Sequence, residues 1–123
     1  RPRRLEITAD GAIWYGDYAG GRLGRYDAVS GSFEEWIMPG GKDARPYGTA
    51  LDDSGRIWIA EGGNPNRLVG IGSDSKAFTH VADIPNARGS VRHMVFHQPT
   101  RAIWFGEDTN YLARALPPQR EDQ

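Results

Sequence analysis

Short runs of four to six residues rich in apolar and aromatic side chains recur along the chain, and a glycine, proline or aspartate ends most runs. Such segments, bounded by turn residues, are typical of short β-strands. No stretch carries apolar residues at helical spacing without an intervening Gly or Pro. The pattern predicts an all-β protein, with strands at 4–8, 12–16, 22–26, 33–38, 48–51, 56–60, 67–71, 77–82, 92–97, 102–106 and 111–116.

One phrase occurs three times among these strands: GAIW at 11–14, GRIW at 55–58 and RAIW at 101–104. The three tryptophans are 44 and 46 residues apart, and an acid follows each of them three residues later. Four short antiparallel strands in a repeat of this length are typical of a β-propeller blade. We therefore predict one partial β-propeller, with blades at about 1–43, 44–89 and 90–123, the last without its outer strand. The repeated residues are the tryptophans Trp14, Trp58 and Trp104, expected between blades, and the acids Asp17, Glu61 and Glu107.

Three blades do not close a propeller, since rings usually contain four to eight. An open stack leaves two blade faces and their strand edges bare, which favours aggregation. We expect either a section of a six- or seven-bladed ring, whose remaining blades cover these faces, or a ring closed by homo-oligomerisation. The chain begins at Arg1 without an initiator methionine, which indicates a processed or excised piece whose N-terminal targeting region is absent.

Composition and charge argue against several classes of protein. The net charge is −1 and charges of both signs are mixed along the chain, which is unlike the basic footprint of a nucleic-acid-binding protein. Because the chain has no cysteine, it forms neither a disulfide framework nor a thiolate metal site. No apolar run approaches the roughly 20 residues that span a membrane. We therefore expect a soluble protein, cytoplasmic or exported, that binds neither nucleic acid nor membrane.

The repeated phrase resembles the blades of a known enzyme family. The segments DGAIWYGDYAGGRLGRYD, ARPYGTALDDSGRIWIAEGGNPNRLVGI and VRHMVFHQPTRAIWFGED are similar to blades of the virginiamycin B lyase, or streptogramin lyase, family. The resemblance covers essentially the whole chain and implies the last three blades of a seven-bladed propeller. It also implies a bacterial lyase connected with antibiotic resistance, which opens a cyclic depsipeptide at its ester by elimination. In that family, a histidine removes a proton alpha to a carbonyl group, and His and Glu residues from neighbouring blades hold Mg²⁺.

Matching the family motif residue by residue assigns a role to several positions. His93 matches the general base, and Glu107 and Glu61 match positions for holding Mg²⁺. Two positions differ from the family, since Tyr47 stands where a histidine is expected and Val91 where a carboxylate is expected. The residues assigned to substrate binding are Tyr47, Arg92, Arg3 and Asp17.

The spacing of these residues leads to a separate geometric prediction. Each acid lies 14 residues after its counterpart, and the two are symmetric about a turn. An antiparallel hairpin closed at that turn would place the two residues opposite each other, at the mouth of the channel. The expected opposite pairs are Arg3 with Asp17, as a salt bridge, Tyr47 with Glu61, and His93 with Glu107.

Two other functions fit the same sequence. A non-catalytic propeller would bind a small molecule, a peptide or a protein on its rim. A calcium-dependent lactonase-type propeller would need several oxygen ligands at the channel, for which Asn64, Asn66 and Asn110 in the rim loops give weak support.

Overall fold

The computed structural model describes residues 1–85 and 88–118 and contains three antiparallel sheets. The first sheet, blade 1, orders its strands as β1 (Pro2–Ile7), β2 (Ile13–Asp17), β3 (Arg22–Tyr26) and β4 (Phe33–Ile37). Blade 2 consists of β5 (Pro46–Leu51), β6 (Arg56–Glu61), β7 (Arg67–Gly72) and β8 (Phe78–Asp83). Blade 3 consists, within the described residues, of β9 (Met94–His97), β10 (Ala102–Glu107) and β11 (Tyr111–Ala115). The predicted all-β propeller fold is confirmed, and the predicted end of the third blade, 119–123, lies outside the described residues.

The three sheets meet along their first strands. The Gly48 amide in β5 donates to the Val91 carbonyl just before β9, with a nitrogen–oxygen distance of 2.8 Å. On the other side, the Thr49 hydroxyl in β5 donates to Glu6 of β1 at 2.6 Å. The first strand of each blade is therefore the innermost, as in a propeller.

Two apolar cores lie between the blades. The first joins blade 1 to blade 2 and includes Trp14 and Leu23 packed against Ile57, Ile59 and Ile71. The second joins blade 2 to blade 3; its members include Trp58, Leu68, Ile84, Ile103 and Phe105. Blade 2 is therefore covered on both faces, which is why its central strands β6 and β7 are apolar and buried almost throughout.

Two of the three repeated tryptophans are buried between blades. Trp14 is 1% exposed and Trp58 is 5% exposed, and each fills the space between its own blade and the next. Trp104 is half-buried on the face of blade 3 turned away from blade 2, where no described sheet covers it. The prediction that the tryptophans lie between blades is thus confirmed for Trp14 and Trp58 and stays a prediction for Trp104.

The register of the first hairpins departs from the predicted symmetry. A β-bulge in β1 and another in β5 each insert one extra residue. Pro2 therefore lies opposite Asp17, and Pro46 lies opposite Glu61, in place of Arg3 and Tyr47. In blade 3 the first strand begins at Met94, so His93 precedes the ladder and is not paired with Glu107. The sequence-based pairs were wrong in blades 1 and 2 because hairpin symmetry holds only while neither strand carries an extra residue. In blade 3 the ladder has no bulge, but its register is centred between residues 99 and 100 rather than on Thr100.

Helical structure is confined to short turns in the part of the chain that the structure describes. The segments Gly41–Asp43 and Gln98–Thr100 each form a single 3₁₀ turn. Among residues 1–85 and 88–118, no helix has the length and apolar character that a bilayer crossing requires.

Candidate functional site

The predicted site residues lie at one end of the sheets, which we call the rim. The rim consists of the beginnings of β1, β5 and β9 and the ends of β2, β6 and β10. These strand ends come together because each first hairpin turns back at the opposite end of its blade. The residues predicted for the site and found on the rim are Arg3, Asp17, Tyr47, Glu61, Arg92, His93 and Glu107.

Glu61 is engaged in a buried ion pair. Its side chain is 1% exposed, and Arg67 donates to its Oε1 through Nε at 2.8 Å. The Gly40 amide donates to Oε2, also at 2.8 Å. Because both carboxylate oxygens already accept hydrogen bonds, Glu61 joins the end of blade 1 to the rim of blade 2.

Glu107 occupies the same place in blade 3 but has different surroundings. Its cross-strand partner is Tyr111, whereas Arg67 is the cross-strand partner of Glu61. Burial raises the pKa of Glu107, and a hydrogen bond with the Thr109 side chain offsets part of that rise. No arginine or lysine of the described residues forms an ion pair with it.

An apolar cavity of about 370 Å³ lies beside Glu107, between blades 2 and 3. Leu68, Ile84 and Phe105 contribute to its walls. A carboxyl group with a raised pKa at the edge of an apolar cavity is typical of ligand-binding and catalytic sites.

Arg3 and Tyr47 are brought together, although not as a pair across a hairpin. The Arg3 guanidinium lies 4.8 Å from the ring centroid of Tyr18 and 5.4 Å from that of Tyr47. The two tyrosine rings meet edge to face at 5.8 Å. Asp17 accepts hydrogen bonds from the N-terminal ammonium and from the Gly20 amide, so the predicted Arg3–Asp17 salt bridge is not formed.

Arg92 and His93 lie in the loop that leads into β9. Asp108 fixes this loop by accepting from Arg92 at 2.9 Å and from the Ser90 amide at 3.1 Å, and these bonds lower the pKa of Asp108. Arg4 donates to the Arg92 carbonyl at 2.9 Å. His93 is exposed and makes no hydrogen bond within the described residues. Its imidazole is therefore accessible from the rim.

Sequence reasoning did not identify Tyr18 or Asp108 as site residues. Each immediately follows one of the repeated acids, Asp17 and Glu107. Their position directly after a repeated acid could therefore have identified them, although the residue at that position differs among the three copies.

The Mg²⁺ expected from the family resemblance does not fit these residues. Among residues 1–85 and 88–118, no group of three or more His, Asp and Glu side chains is arranged to hold a metal ion. Glu61 is bonded to Arg67 and Gly40, and Tyr47 supplies a neutral phenol where Mg²⁺ favours carboxylate, carbonyl or water oxygens. Magnesium stays a prediction of the resemblance alone.

Comparison with solved structures shows the propeller fold. Virginiamycin B lyase from Staphylococcus aureus, in selenomethionine-substituted form, matches with a TM-score of 0.73 and 20% identity over 96% of this chain. A catalytically inactive variant of that lyase with quinupristin matches with a TM-score of 0.74 and 23% identity over 96% of the chain. In both cases the chain spans 42% of the length of the lyase.

The same fold occurs in proteins of other kinds. The extracellular domain of the putative one-component system BT4673 from B. thetaiotaomicron matches with a TM-score of 0.72 and 16% identity, over 97% of this chain and 15% of that one. No family model matches the sequence, and no curated protein matches it. The comparisons therefore establish the propeller fold.

Proposed function

We propose that this chain is a three-blade section of a lyase-type propeller that opens a cyclic depsipeptide at its ester by elimination. In this proposal blade 3 provides the chemistry. The observation that carries it is the difference between equivalent acids, since Glu61 is neutralised by Arg67 whereas Glu107 has a raised pKa and borders an apolar cavity. The accessible His93 belongs to the same blade as Glu107.

The proposed reaction needs a base and a place for the leaving oxygen. His93 removes the proton from a carbon alpha to a carbonyl, and the electron pair forms a double bond to the beta carbon. The bond between that beta carbon and the ester oxygen breaks, and the oxygen leaves as part of a carboxylate. No water is consumed. Imidazole suits the role of base because it ordinarily titrates near neutral pH, and we assign to Glu107 the role of hydrogen-bonding a polar group of the substrate.

The activity can be tested with a purified chain and a streptogramin B-type cyclic depsipeptide, in buffer containing Mg²⁺. Elimination yields a linear product of unchanged mass, whereas hydrolysis adds one water, so chromatography with mass spectrometry separates the two. We expect His93→Ala to abolish the linear product. His97→Ala is the matched control, because His97 is exposed at the opposite end of β9. Absence of any linear product from the wild-type chain would refute the proposal.

A non-catalytic binding module is the second candidate, and the cluster of Arg3, Tyr18 and Tyr47 on the rim favours it. Tyrosine is enriched at interfaces because it presents both an apolar ring and a hydroxyl group. In this case the depsipeptide binds without turnover, measured by calorimetry. Tyr47→Ala weakens the binding, whereas His93→Ala and Glu107→Ala leave it unchanged.

A further inference from the structure

A large cleft at the rim loops lies beside the proposed site and is not part of it. It measures about 710 Å³ and is lined by Asp43, Arg45, Asn66 and Arg88, together with glycines at 62, 63 and 89. Arg45 precedes β5 in blade 2, and Arg88 lies in the connection from blade 2 to blade 3. The side chains of the cleft are charged or amide-bearing, and glycine backbone forms much of the remaining wall.

The two arginines leave this cleft positively charged. Within the described residues, neither Arg45 nor Arg88 forms an ion pair, whereas Arg67, Arg92 and Arg101 all do. Asp43 offsets one of the two positive charges. A guanidinium presents a planar set of donors that matches the two oxygens of a carboxylate or phosphate.

The backbone at Arg45 gives a second, independent observation. Its φ is 51°, in the left-handed region that favours glycine over any residue with a Cβ atom. The Arg45 carbonyl accepts from the Gly62 amide at 3.0 Å, which holds the residue at the edge of the cleft. A side chain kept at a position suited to glycine points to a role for that side chain.

The floor of the cleft is fixed by Asn66, which is 2% exposed. Its side-chain amide donates to the Gly89 carbonyl at 2.9 Å, and its backbone carbonyl accepts from the Ile84 amide at 2.9 Å. Asn66 thereby ties the connection that carries Arg88 to the β6–β7 loop, and the Gly62 amide of that loop bonds the Arg45 carbonyl. A preformed site loses less conformational entropy when a ligand binds than a site that must first become ordered.

We propose that this cleft binds an oxyanion, a carboxylate or a phosphate, between Arg45 and Arg88. The carboxylate released by the proposed elimination is one such ligand. Binding requires no turnover, however, so this site and the lyase activity can succeed or fail separately.

The test titrates the purified chain with N-acetylglycine and, separately, with inorganic phosphate, followed by amide NMR shifts. N-acetylglycine amide serves as the uncharged control ligand. We expect one of the two anions to shift the amides of residues 62, 63 and 89 saturably, and the neutral amide to have no effect. Saturation by N-acetylglycine identifies a carboxylate site, and saturation by phosphate identifies a phosphate site.

Variants decide whether the arginines are responsible. Arg45→Gly removes the side chain and relieves the left-handed backbone, so we expect an unfolding midpoint at or above that of the wild type with affinity lower on the order of tenfold or more. Arg88→Gln should weaken binding similarly. Arg22→Gln, at an exposed arginine paired with Glu35, is the matched control and should bind normally. Saturable binding by neither anion, or binding that survives both variants, would overturn the proposal.

Discussion

At the scale of single residues, Asp52 shows how one buried carboxylate organises a blade. Its Oδ1 accepts from the Ser54 amide, the Ser54 hydroxyl and the Arg56 amide, at 2.7 to 3.0 Å. Its Oδ2 accepts from the Trp58 indole at 2.8 Å. The same carboxylate therefore closes the turn between β5 and β6 and anchors the core tryptophan.

Removing this carboxylate should be costly. We expect Asp52→Ala to lower the free energy of unfolding by about 2–4 kcal/mol, because buried donors lose their acceptor. Urea unfolding followed by tryptophan fluorescence measures the change. Asp74→Ala, at an exposed turn position of the same blade, should change stability by less than about 0.5 kcal/mol. Equal effects from the two variants would contradict this account of Asp52.

Glu61 allows a structural role to be separated from a metal-binding role. We expect Glu61→Gln to destabilise the protein by about 2 kcal/mol or more, because it leaves the Arg67 charge without its partner. This loss should be the same with and without Mg²⁺ in thermal unfolding experiments. Stabilisation of the wild type by Mg²⁺ that disappears in Glu61→Gln would instead make Glu61 a metal ligand.

At the scale of strands, each blade places an arginine guanidinium over its tryptophan, but the arginine does not come from the same position in all three. In blades 1 and 3 the guanidinium over the tryptophan comes from the opposite strand, as in Arg25 over Trp14 and Arg114 over Trp104. In blade 2 that opposite position is Gly70, and Arg56 of the same strand covers Trp58. A Cβ atom at Gly70 would lie 2.9 Å from the indole ring. Gly70 therefore leaves room for the Trp58 ring, and Arg56 supplies the guanidinium that the opposite strand supplies in the other two blades.

The strands themselves could be predicted from sequence, and their mutual alignment could not. Short apolar and aromatic runs bounded by turn residues mark the strands, and the eleven expected strands match the observed ones closely. The bulges before Leu5 and Thr49 cannot be recognised from the composition of these runs, so the opposite pairs of blades 1 and 2 were misassigned. The spacing of the rim acids identified Glu61 and Glu107. It did not show that Arg67 neutralises only Glu61, because that depends on which residue of the next strand lies opposite each acid.

A pair of glycine variants tests the contact between the first strands. At Gly48, an added Cβ would lie 2.7 Å from the Val91 carbonyl oxygen, which is backbone and cannot rotate away. We expect Gly48→Ala to push β5 from the start of β9 and to lower the free energy of unfolding by about 1–3 kcal/mol. Gly106→Ala is the control, because a methyl group added there would meet no atom within 4 Å. Thermal unfolding of both variants measures the difference, and a Gly48→Ala protein as stable as Gly106→Ala would count against this close approach.

At the scale of the whole molecule, the two outer faces differ from the interfaces between blades. On blade 1, Leu5, Ile7, Phe33 and Ile37 share the face turned away from blade 2 and are 57 to 66% exposed. On blade 3, Trp104 is half-buried and Leu112 is 75% exposed on the face turned away from blade 2. These faces have the apolar character of the two cores but lack a covering sheet in this chain.

We therefore expect the chain, expressed alone, to self-associate. Light scattering after gel filtration should give a mass above the 13.6 kDa of one chain. Leu112→Glu should shift the mass toward that of one chain, because it places a charge on the exposed face of blade 3. Val29→Glu, in the turn between β3 and β4, is the control. A wild-type protein that is a monomer at all concentrations would contradict this prediction.

Acid should loosen the contact between blades 2 and 3 on the side away from the rim. There, Arg101 of the β9–β10 turn donates two hydrogen bonds to Asp53 of the β5–β6 turn, at 2.7 and 2.6 Å. These bonds, with one from Gln98, lower the pKa of Asp53 from 3.8 to about 2. Because the pKa is lower in the folded protein, the pair stabilises the fold above the unfolded value and loses its effect as the pH falls toward 2.

The comparison of wild type with Asp53→Asn isolates this contact, because other acids titrate in the same range. Asp10 is one of them, since its hydrogen bond with Thr8 lowers its pKa to about 2 as well. Urea midpoints of both proteins between about pH 6 and pH 2 should show the wild type more stable at the upper end and the difference shrinking below about pH 4. Both side chains are partly exposed, so added salt should reduce the difference at the upper end. A stability difference that does not change with pH would mean that Asp53 acts through packing rather than through its charge.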